Sequence, residues 1–440
     1  MFTNVRVKNF RCFDEFQFDL STKKSEPKHL IIIYGENGAG KSNVAAIFCA
    51  LMELLRTMDV NEWYNSLLEQ IASSKDVDLR QALQRTIRDV PAIVRDFKMA
   101  DCGDNIELEF KFSLDGKHGI YYIELNQDSV VHERLEFVLE KRRAMYFDMK
   151  ENDYKIRNTL FVNPAFYDDI MDQAQKYWGK HPLLSIVFYE MRSKAKNYVL
   201  ESISENFRLV LDFFASVGGA VKRGERSQLF SRSVVPDYLG LDRGTISKDR
   251  ADGELEKARL LVKEFLSTIN SDIQDVYYDL RPVHGEDSFV EYRLHLKKMI
   301  SGKVRDINFK QESTGMQQML GLLNNLLVVT KSGVEVLDEM DSGIHDLAAQ
   351  KILRELYPTI QGQLIITTHN TLFMDCDFAK EAIYILKEDE NAHRTMDCLM
   401  DSSVDRIYQK TNIKRKYLDG DYNGVPSVGA LDFEKMGRLF

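Results

Sequence analysis

Apolar and polar positions repeat at two periods along this chain, and the changes of period mark its elements. Val5, Val7 and Phe10 open one strand, and Phe13, Phe16 and Phe18 continue an alternating pattern. A polar connection at 21–27 leads into the unbroken apolar run Leu30-Ile31-Ile32-Ile33-Tyr34, which reads as a buried strand. From about 43 to 98 the period is helical. Val44, Ile47, Phe48, Leu51, Leu54 and Leu55 form one stripe, 72–76 is a polar break, and Pro91 starts or kinks the last helix. Alternation returns over 105–149, in runs at 106–110, 120–125 and 134–139, with Asp115-Gly116 as a hairpin turn. This stretch is expected to form an antiparallel sheet layered on the core.

Residues 160–217 are helical and rich in aromatics, without the sustained heptads of a long coiled coil. Gly218, Gly219, Gly224, Gly240 and Gly244 among many charges predict a loop-rich, mobile segment over 218–252. A helix is expected near 253–270 and strands near 274–309. An amphipathic helix follows over 313–330, with Met316, Met319, Leu320, Leu323, Leu326 and Leu327 on one stripe. Then come the apolar run Val334-Glu335-Val336-Leu337, a helix near 345–357, the run Leu364-Ile365-Ile366-Thr367-Thr368, and Ala382-Ile383-Tyr384-Ile385-Leu386. Strands alternating with helices predict an α/β fold with a mostly parallel sheet. No internal repeat is visible.

Composition adds bounds. The 440 residues suffice for one large domain with insertions or for two or three ordinary ones. No stretch approaches the ~18 consecutive apolar residues of a membrane span, and the first residues lack a signal-peptide pattern. The five cysteines are scattered and form no C-x-x-C pair, which fits reduced thiols in a cytoplasm. A net charge of −9 does not advertise a polyanion partner. Basic groups at 141–143, at Lys222, Arg223 and Arg226, and at Lys410, Lys414, Arg415 and Lys416 read first as solvated faces.

The candidate chemistry sits where the first buried strand meets the first long helix. There the sequence is Gly35-Glu36-Asn37-Gly38-Ala39-Gly40-Lys41-Ser42, of the form G-x-x-x-x-G-K-S. Strand, glycine-rich turn and helix are the context of a phosphate-binding loop. The glycines let backbone amides turn inward at a helix N-terminus, Lys41 can reach β- and γ-phosphates, and the Ser42 hydroxyl can bind Mg²⁺. Asp338-Glu339 ends the run 334–337, where an aspartate can hold Mg²⁺ and a glutamate can orient or deprotonate water. The alternative is an acidic pair in a turn. His369 closes the next apolar run and can contact a γ-phosphate; a lone histidine is more often structural. Ser313-Thr314-Gly315 opens the amphipathic helix, as an N-cap, an anion site, or both. No Ser/His/Asp arrangement, HExxH motif or zinc pattern is present.

In this order, residues 35–42, Ser313-Thr314-Gly315, Asp338-Glu339, Asp341 and His369 resemble the head of an ABC-type ATPase. Within that group they resemble the SMC/RecF/OLD-like branch of bacterial AAA family ATPases. Val7-Lys8-Asn9-Phe10-Arg11-Cys12-Phe13 is similar to that branch's opening strand, whose Asn-Phe-Arg element lies beside the nucleotide. Residues 311–318 resemble its signature stretch, and Asp341-Ser342-Gly343 falls at its D-loop. Residues 412–418 with Gly424-Val425-Pro426 resemble the tail of the RloA/AbiL-like subgroup, which is associated with phage-resistance loci. The likeness covers about 1–60 and 300–430.

The resemblance implies a P-loop head with a mixed sheet, an antiparallel β subdomain and a helical insertion. On that basis 1–160 is the N-terminal part of the head and 161–270 the insertion, carrying the mobile loop 218–252. The C-terminal part of the head is then 271–395, and 396–440 the tail. ATP and Mg²⁺ are the implied cofactors. The binding set is Arg11, Gly35, Glu36, Asn37, Gly38, Ala39, Gly40, Lys41, Ser42, Asn43, Ser313 and Gly315. Ser42 and Asp338 are the metal ligands, and Glu339, His369 and Lys41 the catalytic residues. Two heads would meet head to tail, at least as a dimer, with Ser313 and Gly315 of one contacting ATP held by the other. Thr314 replaces the signature's first glycine, and a glutamine completing the Mg²⁺ shell is expected within 105–149. The 71 residues after His369 are too few for an OLD-type nuclease domain. The implied function is therefore a cytoplasmic ATPase sensor or switch of an anti-phage system. It would respond to a DNA or phage-protein trigger and control a separate effector, a nuclease. The alternative is a RecF/SMC-like DNA-binding ATPase of repair or chromosome maintenance; a third is a non-enzymatic toxin or structural scaffold with a degenerate ATP site.

Overall fold

The run at 30–34 forms the strand Leu30–Gly35, and all six of its residues are buried. A strand apolar on both faces needs cover on both faces, and this one has it. Ile31 and Ile33 belong to one hydrophobic core, Ile32 and Tyr34 to another. In the computed structural model described here, residues 1–71, 88–139, 142–223, 226–230, 240–283, 285–400, 412–422, 424 and 432–438 are described. Among the described residues, no helix is long and apolar enough to cross a membrane.

Leu30–Gly35 lies inside a seven-stranded sheet. Its order is Arg226–Phe230, Val217–Arg223, Val334–Leu337, Gln363–Thr367, Leu30–Gly35, Ile383–Glu388 and Arg394–Cys398. The five inner strands run parallel, and an antiparallel strand closes each edge, so the sheet is mixed and the fold is α/β. A second seven-stranded sheet is antiparallel throughout and contains Phe13–Asp19, Phe2–Phe10, Ile106–Leu114, Lys117–Leu125, Val130–Val138, Arg143–Lys150 and Asp153–Ile156. The chain's first two strands thus join this sheet rather than the parallel one. A third sheet holds Arg243–Ser247, Ile273–Val283, Glu286–Ile300 and Lys303–Asn308.

The helix Lys41–Leu54 lies between the two large sheets. Twelve of its 14 residues are buried, as expected of a helix covered on every side. It shares one core with Phe2, Val5, Phe110, Ile31, Val336 and Ile365. The opposite face of the parallel sheet packs on Thr314–Val329, Asp346–Leu356 and Lys248–Ile269. The aromatic stretch resolves into Pro164–Tyr177, Leu183–Ser193, Lys196–Ser202 and Glu205–Ala215.

One expectation fails. The segment 218–252 is not loop throughout: Val217–Arg223 is an inner strand of the parallel sheet, Arg226–Phe230 pairs with it, Arg243–Ser247 is a strand, and a helix starts at Lys248. Gly218 and Gly219 answer to close packing. A Cβ on Gly218 would stand 2.7 Å from Glu335 Oε1, and one on Gly219 would stand 2.2 Å from the Val336 carbonyl oxygen. Residues 224–225 and 231–239 of this segment lie outside the described residues.

Candidate nucleotide-binding site

Val334–Leu337, Gln363–Thr367 and Leu30–Gly35 are adjacent and parallel. The residues after each strand therefore emerge together at one end of the sheet. These residues are Asp338-Glu339, Thr368-His369 and the loop 35–42.

The loop turns on Gly38 (φ 89°) and Gly40 (φ 114°), backbone conformations that a side chain disfavours. A Cβ on Gly40 would also stand 3.0 Å from Cys12 Sγ and 3.3 Å from Phe13 Cζ. The helix starting at Lys41 carries no side-chain cap, so its first N–H groups remain available to an anion. Lys41 is 6% exposed and donates to the carbonyls of Gly35 (2.9 Å) and Glu36 (3.0 Å). Burial pulls its pKa below the ordinary lysine value, opposed by the charges of Glu339 and then Asp338. The two acidic residues and the lysine thus share one electrostatic environment.

A single hydroxyl organises the acidic pair. Thr367 Oγ1 donates to Asp338 Oδ1 at 2.6 Å and accepts from the Glu339 amide at 2.8 Å. Glu339 sits at φ 48°, a left-handed conformation costing on the order of 1–3 kcal/mol in a non-glycine residue. The other oxygen of Asp338, Oδ2, is buried without a hydrogen-bond partner. A buried carboxylate oxygen left unpaired is costly, and a cation would relieve it. Among the described residues no group of three or more His, Cys, Asp or Glu side chains could hold a metal by itself. One carboxylate and the Ser42 hydroxyl suit a hard cation that takes its remaining oxygens from water and phosphate, as Mg²⁺ does.

The next threonine repeats the device. Thr368 Oγ1 donates to Asp341 Oδ1 at 2.7 Å and accepts from the Asn370 amide at 2.9 Å. His369, between them, is exposed on the site. Its pKa lies below the ordinary histidine value, through desolvation first and then the charge of Lys41, against Glu339, Asp341 and Asp338. Arg11 reaches the same end of the sheet: its Nη1 donates to Asn43 Oδ1 at 3.0 Å, and its guanidinium lies 4.9 Å from the centre of the Phe97 ring. Asn43 Nδ2 donates in turn to Cys12 Sγ.

Ser313 and Gly315 form a separate locus. Ser313 is exposed and caps the helix Thr314–Val329, accepting from the Met316 amide at 3.4 Å. Gly315 abuts the Gly343 carbonyl, 2.8 Å from where a Cβ would stand, so the signature stretch is braced on 341–343. The glutamine expected within 105–149 can only be Gln127, which is exposed in the turn between Lys117–Leu125 and Val130–Val138. Sequence reasoning missed the roles of Thr367 and Thr368. Their signal is two hydroxyls closing an apolar strand, and it acquires meaning only beside the neighbouring strand.

Residues 30–375 match the family described as "AAA domain, putative AbiEii toxin, Type IV TA system". No curated protein matches the chain. Among solved structures, similarity is found to the SMC head domain from Thermotoga maritima, at 14% identity and TM-score 0.37, covering 90% of this chain and 98% of that one. The Smc head domain with an extended coiled coil bound to the C-terminal domain of ScpA, derived from Pyrococcus furiosus, matches at 12% identity and TM-score 0.38, covering 90% and 95%. The recombination mediator protein RecF-ATPrS in the RecFOR pathway matches at 12% identity and TM-score 0.38, covering 91% of this chain and 98% of that one.

Proposed function

The chain belongs to this AAA-domain family, and on that premise we propose that it is a Mg²⁺-dependent ATP hydrolase serving as the sensor or switch subunit of an anti-phage defence system. The observation that carries the hydrolase reading is the unpartnered, buried Asp338 Oδ2 in the same electrostatic environment as Lys41 and Glu339. Residues 35–40 turn their amides to the phosphates of ATP. Lys41 exchanges the carbonyls of Gly35 and Glu36 for phosphate oxygens. Ser42 and Asp338 hold Mg²⁺, which when bound supplies positive charge against the phosphate oxygens. Glu339 takes the proton of the attacking water. His369, whose pKa lies below the ordinary histidine value, offers a ring N–H to the γ-phosphate. Arg11 and Asn43 line the site beside the loop.

ATP then joins two copies. Exposed Ser313, which caps the helix Thr314–Val329, turns with Gly315 behind it to the ATP of a partner protomer. Hydrolysis resets the assembly and the effector it controls. The family description names a toxin of a Type IV TA system, which supports a role beside a partner. The DNA-binding alternative draws less support. In the tail Lys414, Arg415 and Lys416 each have an acidic neighbour, Asp375, Asp419 and Asp421 in turn, which lowers the local positive potential; Lys410 lies outside the described residues.

The test is Glu339→Gln. The variant should bind ATP like the wild type and hydrolyse it at least about 100-fold more slowly, the scale of a lost general base. Light scattering should show ATP-dependent dimers of that variant. Unchanged turnover removes Glu339 from catalysis. A failure to co-purify with the products of neighbouring genes in every nucleotide state overturns the switch reading.

A further inference from the structure

The phosphate-binding loop is held from outside by a residue 355 positions away along the chain. Arg394 begins Arg394–Cys398, the edge strand that pairs antiparallel with Ile383–Glu388. Its side chain is 14% exposed. Nε donates to the Ala39 carbonyl at 2.9 Å; Nη1 donates to the carbonyls of Cys12 (3.0 Å) and Ala392 (2.9 Å); Nη2 donates to Glu388 Oε2 at 3.1 Å. One planar guanidinium thus ties together the loop, the turn that follows the strand Phe2–Phe10 and its own edge hairpin. The spread of donors is one that only arginine provides.

We infer that Arg394 is a positioning residue of the nucleotide site, fixing the Ala39–Gly40 peptide so that the Gly40 N–H faces the phosphates. A trans peptide is planar, and its C=O and N–H point in opposite directions. Holding the Ala39 oxygen outward therefore aims the next amide inward. The turn needs this external hold, because Gly40 lacks a Cβ and its φ of 114° is one of many a glycine adopts freely. Ala39 itself is buried against the hydrophobic core, so its carbonyl is kept from water and depends on a protein donor.

This inference rests on reading residues 35–42 as the ATP site, and the experiment separates the two. The full-length wild type, Arg394→Lys, Arg394→Gln and Lys41→Ala are titrated with fluorescent ADP and with ATP, and the Gly40 amide resonance is followed in ¹⁵N-labelled protein. The lysine variant keeps the charge and one contact, which preserves the fold if the glutamine variant loses it. Both Arg394 variants should bind nucleotide about 10- to 100-fold more weakly, the scale of one oriented amide–phosphate bond. KM for ATP should rise more than kcat falls. At saturating ADP the Gly40 resonance should shift in the wild type and stay near its free position in the variants. Wild-type affinity in Arg394→Lys, or an unchanged Gly40 shift, overturns the inference while the ATP reading stands on Lys41→Ala. A wild type that binds no nucleotide overturns both.

Discussion

Replacing Thr367 with valine removes one hydroxyl and keeps the outline of the side chain. In the wild type that hydroxyl donates to Asp338 Oδ1 at 2.6 Å and accepts from the Glu339 amide at 2.8 Å. Thr367 is 1% exposed and Asp338 6%, so water cannot readily replace either bond. A buried hydrogen bond to a charged acceptor is worth about 1.5–3 kcal/mol and a neutral one about 0.5–1.5. Thr367→Val should therefore lower stability by about 2–4 kcal/mol, read from the urea unfolding midpoint. It should cost more in function. Asp338 and Glu339 lose the group that sets their relative orientation, and removing such a support lowers metal affinity or turnover by about 10- to 100-fold. The assay is ATP turnover against Mg²⁺ concentration, with Thr367→Ser as the control that restores the hydroxyl. Val and Ser variants with equal turnover and equal Mg²⁺ dependence would refute this account of the acidic pair.

Two further predictions concern the fold that carries the site. Glu133 is wholly buried and accepts from Tyr121 Oη, Trp178 Nε1 and the amides of Leu183 and Leu184, which ties the antiparallel sheet to the helix Leu183–Ser193. Burial pushes its pKa up to about 7 against the pull of those donors. Glu133→Gln turns an amide donor onto these donors and should cost about 2–4 kcal/mol in urea unfolding; a loss below about 1 kcal/mol contradicts the arrangement. His181 is 2% exposed, and burial lowers its pKa to about 4. A base depressed in the folded state contributes stability that is present above the unfolded value near 6.5 and lost as pH falls toward 4. That window is worth about 3 kcal/mol, so His181→Gln should flatten the decline of the urea midpoint between pH 6.5 and 4, and an unchanged slope would rule the histidine out.

Much of the site is legible locally. A phosphate loop is one contiguous turn, so its glycines, lysine and serine must be neighbours in sequence, and residues 35–42 show them together. Asp338-Glu339 and His369 are legible for a related reason, since each follows an apolar run that can only be a buried strand. The glycine pair at 218–219 misleads for the opposite reason. A glycine required by a loop and one required by a crowded neighbour look alike until Glu335 and Val336 are in place.

By itself the sequence determines the local chemistry: a loop of the P-loop pattern, a helix that starts behind it, acidic and imidazole groups at strand ends, and an α/β alternation. The tertiary structure alone decides which strands are adjacent, and so which of those groups meet. Sheet order sets Val334–Leu337, Gln363–Thr367 and Leu30–Gly35 side by side, although more than 290 residues separate the first strand of the site from the other two. Only then does Thr367 acquire both its partners, and only then does Arg394 reach the carbonyl of Ala39. Hydrogen bonds form across a few ångströms of space whatever the distance along the chain, and no local pattern of residues encodes that proximity.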